Sequence, residues 1–116
     1  MMTKIENFKR VFLLISLCLL STSIHALSLD DVKFASLPGE RVQIKLVLSE
    51  ALPADPLNFT IDNPARIAID LPNTALNLSE KSQTIGIGMA NSLNVVEAGG
   101  RTRVVINLTR SVSYDL

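Results

Sequence analysis

Residues 63–73 constrain the fold more than any other stretch of this sequence. Aliphatic residues alternate there with polar or small ones, in the order Arg66, Ile67, Ala68, Ile69, Asp70 and Leu71. A period of two is typical of a strand that buries one face and turns the other outward. Pro64 and Pro72 flank the run, and because proline has no amide hydrogen to donate, they predict where the strand begins and ends. A shift of one residue would bury both charged side chains, so the register is fixed as well.

Residues 1–26 have the order of a secretory signal peptide. Basic residues near the start precede an apolar run over residues 11–20, and a short polar segment then leads to Ala26. This order predicts export, with cleavage after Ala26. The run is shorter than the roughly 20 apolar residues that a membrane-spanning helix needs. The chain of 116 residues has room for one domain, which we place at residues 27–116.

Cleavage would remove the only cysteine, Cys18, and the only histidine, His25. Cys18 is not expected to carry a lipid, because Leu17 before it is bulky where lipoproteins have a small residue. The exported part then has no thiol nucleophile, imidazole base, disulfide, or Cys or His metal ligand. The adjacent carboxylates of Asp30 and Asp31 tend to point apart, which does not suit the paired acids of a glycosidase. We therefore expect no enzymatic activity and no cofactor.

The charge balance does not indicate a nucleic-acid partner. Loss of the leader removes three of eleven basic residues and one of eleven acidic ones, which leaves a formal charge of −2. Proteins that bind nucleic acid or an anionic membrane surface usually carry an excess of basic residues. We therefore expect no nucleic-acid partner.

Strand patterns also occur in other parts of the sequence. The predicted strands are residues 27–34, 41–49, 57–61, 85–89, 93–98 and 101–108. Turns at Pro38–Gly39 and Gly99–Gly100 separate two pairs of these strands, and a change of phase at Asp30–Asp31 indicates a bulge. Residues 57–61 are expected to form a hairpin with residues 66–71. No window beyond the leader has a helical period, so the sequence predicts an all-β fold, a small β-sandwich.

One sequence pattern occurs twice. The order Arg-Val-Gln-Ile-Lys-Leu at residues 41–46 resembles Arg-Val-Val-Ile-Asn-Leu at residues 103–108, and each copy follows a glycine-containing turn and a short apolar strand. Two strand-turn-strand units, one in each sheet, would explain this repetition. Chance similarity between two strands is the alternative explanation.

The last six residues, 111–116, begin another alternating segment and then stop without a turn or a polar tail. A domain that ended there would leave this strand unfinished. We therefore expect the chain to be a truncated piece of a longer exported protein.

Candidate binding residues lie on the outward faces of two predicted strands. They are Arg66 and Asp70 in the strand at 66–71, and Arg101, Arg103 and Asn107 in the strand at 101–108. An arginine grips a carboxylate through two N–H donors, and an aspartate accepts from an ammonium group. Aromatic residues are few, so a glycan would be held through charged substituents or peptide arms rather than sugar faces. A solvated surface is the ordinary explanation for each of these residues taken singly.

Residues 59–74, with the order Asn-Pro-Ala-Arg at 63–66 and Asp-Leu-Pro at 70–72, resemble the AMIN domain of bacterial envelope proteins. Residues 41–46 are similar to an opening strand of that domain as it occurs in the secretins of type IV pili. Residues 101–108 and 112–114 resemble its later part. The resemblance covers essentially all of the chain after the leader.

This resemblance implies a non-catalytic, periplasmic β-sandwich that binds peptidoglycan and so localises the protein that carries it. In a type IV pilus secretin, the rest of the protein would be further periplasmic domains and a homo-multimeric ring in the outer membrane, working with other pilus assembly proteins in secretion. The family's outer-face motifs would map to Arg66 and Asp70 on one side of the sandwich and to Arg103 on the other.

Two other functions stay open at this point. The first is the targeting domain of an N-acetylmuramoyl-L-alanine amidase, which would need zinc ligands downstream that this chain does not contain. The second is a protein-docking module of the pilus machinery, in which the glycine-rich strand at 85–89 would recruit a partner by β-addition at its edge.

Overall fold

The computed structural model describes residues 27–116, which form two β-sheets. The strands are β1 Leu27–Leu37, β2 Arg41–Leu48, β3 Leu57–Ile61, β4 Arg66–Leu71, β5 Thr74–Leu76, β6 Ser82–Ile87, β7 Ala90–Ala98 and β8 Arg101–Leu108. A three-stranded sheet has the order β2-β1-β5, and a five-stranded sheet has the order β3-β4-β8-β7-β6. The predicted all-β sandwich is therefore confirmed. The predicted signal peptide and its cleavage at Ala26 lie outside the described residues.

An aliphatic core lies between the two sheets, as the alternation in the sequence predicts. Its most deeply buried side chains come from both sheets and are Leu29, Leu71, Leu93 and Val104. The inward row of β4, Ile67 and Ile69, belongs to the same cluster. Because the strands alternate, the opposite row of each strand faces outward and is available for other roles.

Local signals in the sequence placed most of the turns correctly. The register of β1 and β2 shifts between Leu29 and Asp31, which confirms the predicted bulge. The strands β3 and β4 form the predicted antiparallel hairpin. Gly99 and Gly100 both have positive φ, 62° and 73°, and connect β7 to β8 as a two-residue turn. This is the backbone shape that a tight hairpin requires.

The strand β5 joins the two sheets, and the sequence did not indicate this connection. After Asn73 the chain leaves the larger sheet, and Thr74–Leu76 pairs in parallel with the start of β1. Two hydrogen bonds hold the crossing point, and the second of them is buried. The Thr74 amide donates to the Gly100 carbonyl at 3.1 Å, and the Thr102 hydroxyl donates to the Thr74 carbonyl at 2.7 Å. The two sheets are thus linked by polar contacts as well as by the core.

The repeated pattern marks one hairpin in each sheet, which is the arrangement that the first of the two explanations requires. The first copy is β2, paired with β1 in the three-stranded sheet, and the second is in β8, paired with β7 in the five-stranded sheet. The turns of the two sheets approach each other at Gly88, where an added Cβ would lie 2.7 Å from the Glu40 carbonyl oxygen. Only glycine fits that approach without a shift of the backbone.

The predicted alternating segment at residues 111–116 is wrong as a strand. These residues form no strand in the structure. Their hydrogen bonds instead run to the β3 side of the sandwich: the Tyr114 hydroxyl donates to Asn58 Oδ1 at 2.6 Å, and the Ser111 hydroxyl donates to Asp62 Oδ1 at 2.8 Å. Side-chain bonds, not a backbone ladder, therefore position the segment.

Candidate ligand-binding face

The outward face of the five-stranded sheet carries all the predicted binding residues. In the register of β4 and β8, Asp70 lies opposite Arg103 and Arg66 lies opposite Asn107. Residues directly opposite each other in an antiparallel pair point to the same face. The expectation that Arg103 lies on the other side of the sandwich from Arg66 and Asp70 is therefore wrong, because β4 and β8 are neighbours in one sheet.

Asp70 and Arg103 form a two-point ion pair. Arg103 Nε donates to Asp70 Oδ1 at 2.6 Å, and Arg103 Nη2 donates to Asp70 Oδ2 at 3.0 Å. Arg101 Nη1 lies 3.9 Å from the same Oδ2. Two arginines surround one carboxylate, so the cluster has a net positive charge and its aspartate is already occupied.

The electrostatics of the cluster favour the ionised pair. The pKa of Asp70 lies below its ordinary value, chiefly because the Arg103 guanidinium donates to the carboxylate; burial opposes this shift, and the charges of Arg103 and Arg101 add to it. The same bond raises the pKa of Arg103. Both groups are therefore charged at neutral pH, and the pair stays intact there.

Burial divides the roles of the two partners. The Asp70 side chain is only 7% exposed, whereas that of Arg103 is 46% exposed. The sequence predicted an outward carboxylate that could take a ligand's ammonium group, but this carboxylate is covered by its neighbours. A guanidinium has five N–H donors, and Asp70 takes two of those on Arg103. The other donors remain for a ligand.

An apolar border surrounds the ion pair, and sequence reasoning missed it. The exposed side chains of Leu57 (67%), Phe59 (40%) and Val96 (57%) lie on this face, and Leu57 and Val96 are the cross-strand neighbours of Asp70 and Arg103. The Arg103 guanidinium lies 5.2 Å from the centre of the Phe59 ring, which is a cation–π distance. The hairpin register could have revealed this, since pairing Ile61 with Arg66 turns the apolar row of β3 outward.

Arg66 and Asn107 lie away from the ion pair. They are four residues from Asp70 and Arg103 along their strands, which is roughly 13 Å. Arg66 Nε makes a long contact of 3.4 Å with the Pro64 carbonyl, and Asn107 Nδ2 donates to the Ser92 hydroxyl at 3.0 Å. Arg66 also borders a polar cavity of about 380 Å³ with Thr60 and Asp62. The structure thus separates the five predicted residues into two groups at opposite ends of one face.

Two kinds of feature are absent from the part of the chain that the structure describes. Residues 27–116 contain no group of three or more His, Cys, Asp or Glu side chains arranged to hold a metal ion. No helix of that region is long and apolar enough to cross a membrane.

The sequence model of the AMIN domain family matches residues 31–116, which is most of the chain. The chain belongs to the AMIN domain family. The strands that carry Asp70, Arg101 and Arg103 all fall within the matched AMIN region.

Two relatives of this AMIN chain have the same protein name. It is 39% identical over 109 residues to the fimbrial assembly protein PilQ of Pseudomonas aeruginosa, across 94% of this chain and 15% of that protein. It is 24% identical over 88 residues to the type IV pilus biogenesis and competence protein PilQ of Neisseria gonorrhoeae, across 76% of this chain and 12% of that protein. The AMIN chain therefore spans a small part of the length of these relatives. No solved structure matches it significantly.

Proposed function

We propose that this AMIN domain is a non-catalytic peptidoglycan-binding module that localises a PilQ-like secretin of type IV pili in the periplasm. The module would be exported by the leader at residues 1–26. It would support pilus assembly and secretion by the longer protein, a homo-multimeric ring in the outer membrane that works with other pilus assembly proteins. The similarity to two PilQ proteins favours this context over that of an amidase.

The observation that carries the proposal is the positively charged cluster of Arg101 and Arg103 around Asp70. Peptide stems of peptidoglycan carry free carboxylates, and an arginine fork binds a carboxylate through two charge-assisted hydrogen bonds. The unused donors of Arg103 and the half-exposed Arg101 supply that fork. Asp70 is buried, so its role here is to hold Arg103 rather than to touch the ligand.

The apolar border adds to this assignment. Leu57, Phe59 and Val96 surround the cationic cluster with exposed apolar surface, and alkyl parts of the peptide stem can pack on such surface. Charge at the centre with apolar groups around it suits a ligand that has both. Arg66 and Asn107 would contact a more distant part of the same polymer, at the other end of the face.

Binding of the purified protein to isolated sacculi tests the proposal. The double variant Arg101→Ala/Arg103→Ala removes the carboxylate fork and is expected to lower retention by about tenfold, the effect of losing roughly 1.4 kcal/mol of binding free energy. The matched double variant Arg66→Ala/Asn107→Ala removes one arginine and one neutral side chain at the distant end of the face. Its retention on sacculi is expected to fall less than threefold. Circular dichroism of each variant checks that the fold is intact.

Equal retention of both double variants would contradict the proposal. Salt provides a second readout, since binding through exposed arginines weakens as ionic strength rises. Retention of the unchanged protein should therefore decrease as the salt concentration is raised, and retention of Arg101→Ala/Arg103→Ala should decrease less.

A further inference from the structure

The strand β2 is an exposed edge of the three-stranded sheet. One side of Arg41–Leu48 pairs with β1 along its whole length, and its other side has no strand partner among residues 27–116. A row of unpaired amide and carbonyl groups is a template for one more strand. Natural edge strands are often short or interrupted, but β2 has eight residues and no bulge within residues 41–47.

An apolar groove opens beside this edge. The inward row of β2, with Ile44 and Leu46, is only partly buried. Together with Ile67, Ile69 and Ile106 of the other sheet, it lines a space of about 930 Å³. Residues 110–116 also line the groove, and Tyr114 packs against the core. The side-chain hydrogen bonds of this segment run to Asn58 and Asp62 and not to β2. A strand added to β2 would place every second side chain on this aliphatic surface.

The outward side of the same edge has three cations and, on β1, the carboxylate of Asp31, which accepts a hydrogen bond from the Val32 amide. Arg41 and Lys45 point outward from β2, and Lys33 lies directly opposite Lys45 on β1. Like charges placed opposite each other in a sheet are unfavourable. The ion pairs found within residues 27–116 all involve Asp70, which lies on the other sheet, so these three cations have no carboxylate partner there. An added strand would set its outward side chains beside them.

We propose that β2 binds an extended segment of a separate protein chain by β-addition, with aliphatic residues at every second position and acidic residues between them. The aliphatic side chains would fill the groove above Ile67 and Ile69. The acidic side chains would lie beside Lys45 and Arg41. This docking edge is distinct from the carboxylate-binding face of the five-stranded sheet, and it does not depend on peptidoglycan binding.

The other edges of the molecule fit such a partner less well. The edge strand β6, the glycine-rich segment for which β-addition was predicted, has a register shift between Thr84 and Ile87 and a positive φ at Gly86. The edge strand β3 has five residues and exposes its apolar row outward. A second copy is also a poor partner, because pairing two β2 strands would bring basic rows together and none of the other edge strands, β3, β5 and β6, contains an acidic residue.

Peptide binding to the purified protein tests this proposal. The probe is a synthetic octapeptide in which valine and glutamate alternate. One control peptide alternates valine and lysine. The other has the same composition as the probe, but its four valines and four glutamates stand in two separate blocks. We expect the alternating acidic peptide to bind at least about tenfold more tightly than either control. Amide hydrogen exchange is expected to slow specifically in residues 41–48 on binding.

A charge reversal sharpens the test. The variant Lys45→Glu should bind the valine–lysine peptide more tightly, relative to the valine–glutamate peptide, than the unchanged protein does. Lys81→Glu makes the same change outside β2 and should leave this ratio of affinities unaltered. Protection of β3 or β6 instead of β2, equal binding of the acidic and basic peptides, or self-association that protects β2 without any peptide would each overturn the proposal. In the double variant Arg101→Ala/Arg103→Ala, the acidic peptide should still slow amide exchange in residues 41–48 as it does in the unchanged protein, because the docking edge is on the other sheet.

Discussion

The hairpins β1–β2 and β7–β8 contain the same sequence pattern but differ in burial. In β8, Val104 is fully buried and Ile106 is 6% exposed, whereas the equivalent Val42 and Ile44 of β2 are only partly buried. The strand β8 has a neighbour on each side, and β2 has one. The alternating pattern therefore determines which side chains face inward, and the number of neighbouring strands determines how deeply they are buried.

The outward rows of the two hairpins differ for the same reason. Arg103 on β8 finds a carboxylate on the adjacent strand β4, which is distant in sequence. Lys45 on β2 has only β1 beside it, and β1 offers Lys33. A central strand can thus hold an ordered ion pair, whereas the edge strand leaves its cations to solvent or to a partner.

The largest expected difference between the hairpins is in core stability. Ile106→Ala in β8 should lower the free energy of unfolding by about 3 kcal/mol, because it removes buried methylenes and leaves a cavity. Ile44→Ala in β2 should cost about half as much, since its side chain is already partly exposed. Urea denaturation, monitored by circular dichroism, measures the free energy of unfolding of both variants. Equal losses would show that β2 is as well covered as β8.

Loss of the ion pair should have the next largest effect. Asp70→Asn removes the charge that two arginines share and should lower the free energy of unfolding by about 1–2 kcal/mol. The cost stays moderate because Arg103 is half-exposed and can be hydrated. Asp55→Asn, the same change in the loop before β3, is the control and should be nearly neutral in the same denaturation experiment. If Asp70→Asn leaves the free energy of unfolding unchanged, the pair orders the surface without stabilising the fold.

The pH dependence of stability should identify the same pair. The pKa of Asp70 is lowered in the folded protein from an ordinary value of 3.8. Its stabilisation is therefore fully present above that value and is lost as the pH falls through the lower, folded pKa. The difference in unfolding free energy between the unchanged protein and Asp70→Asn should be constant above about pH 5 and shrink in acid. Asp30, whose pKa is also lowered, by bonds from Ser28 and Asn77, is present in both proteins and cancels.

The smallest expected effect is a gain. Lys45→Glu places a carboxylate opposite Lys33 and should raise the free energy of unfolding by about 0.5 kcal/mol. Lys81→Glu changes the net charge equally without making that pair and serves as the control. Similar shifts in both variants would assign the effect to net charge instead of to the cross-strand pair.

Short-range patterns made much of the fold predictable. The alternation at residues 66–71, the bulge after Leu29 and the two-glycine turn at 99–100 each depend on neighbouring residues, and the structure has all three. The hairpin of β3 and β4 also follows from adjacency in the sequence. Such features are visible in a single sequence because the backbone preferences of a few residues decide them.

The pairing of distant strands could not be predicted in this way. Asp70 and Arg103 are 33 residues apart, and nothing local indicates that β4 lies beside β8 rather than in the opposite sheet. The resemblance to the AMIN domain predicted the sandwich correctly but placed these residues on opposite faces. The parallel pairing of β5 with β1 was also missed, because only three residues carry it. These contacts depend on sheet order, which many residues decide together.

The stacking of Arg103 between Asp70 and Phe59 has a consequence for how tightly the face can hold an anion. A free arginine side chain samples many rotamers, and immobilising one on binding costs roughly 0.5–1.5 kcal/mol. In this protein that ordering takes place during folding, so an incoming carboxylate meets a receptor that has already lost the motion. A carboxylate bound as we propose would therefore not incur that cost, and replacing Phe59 would weaken the proposed complex without removing any group that contacts the anion.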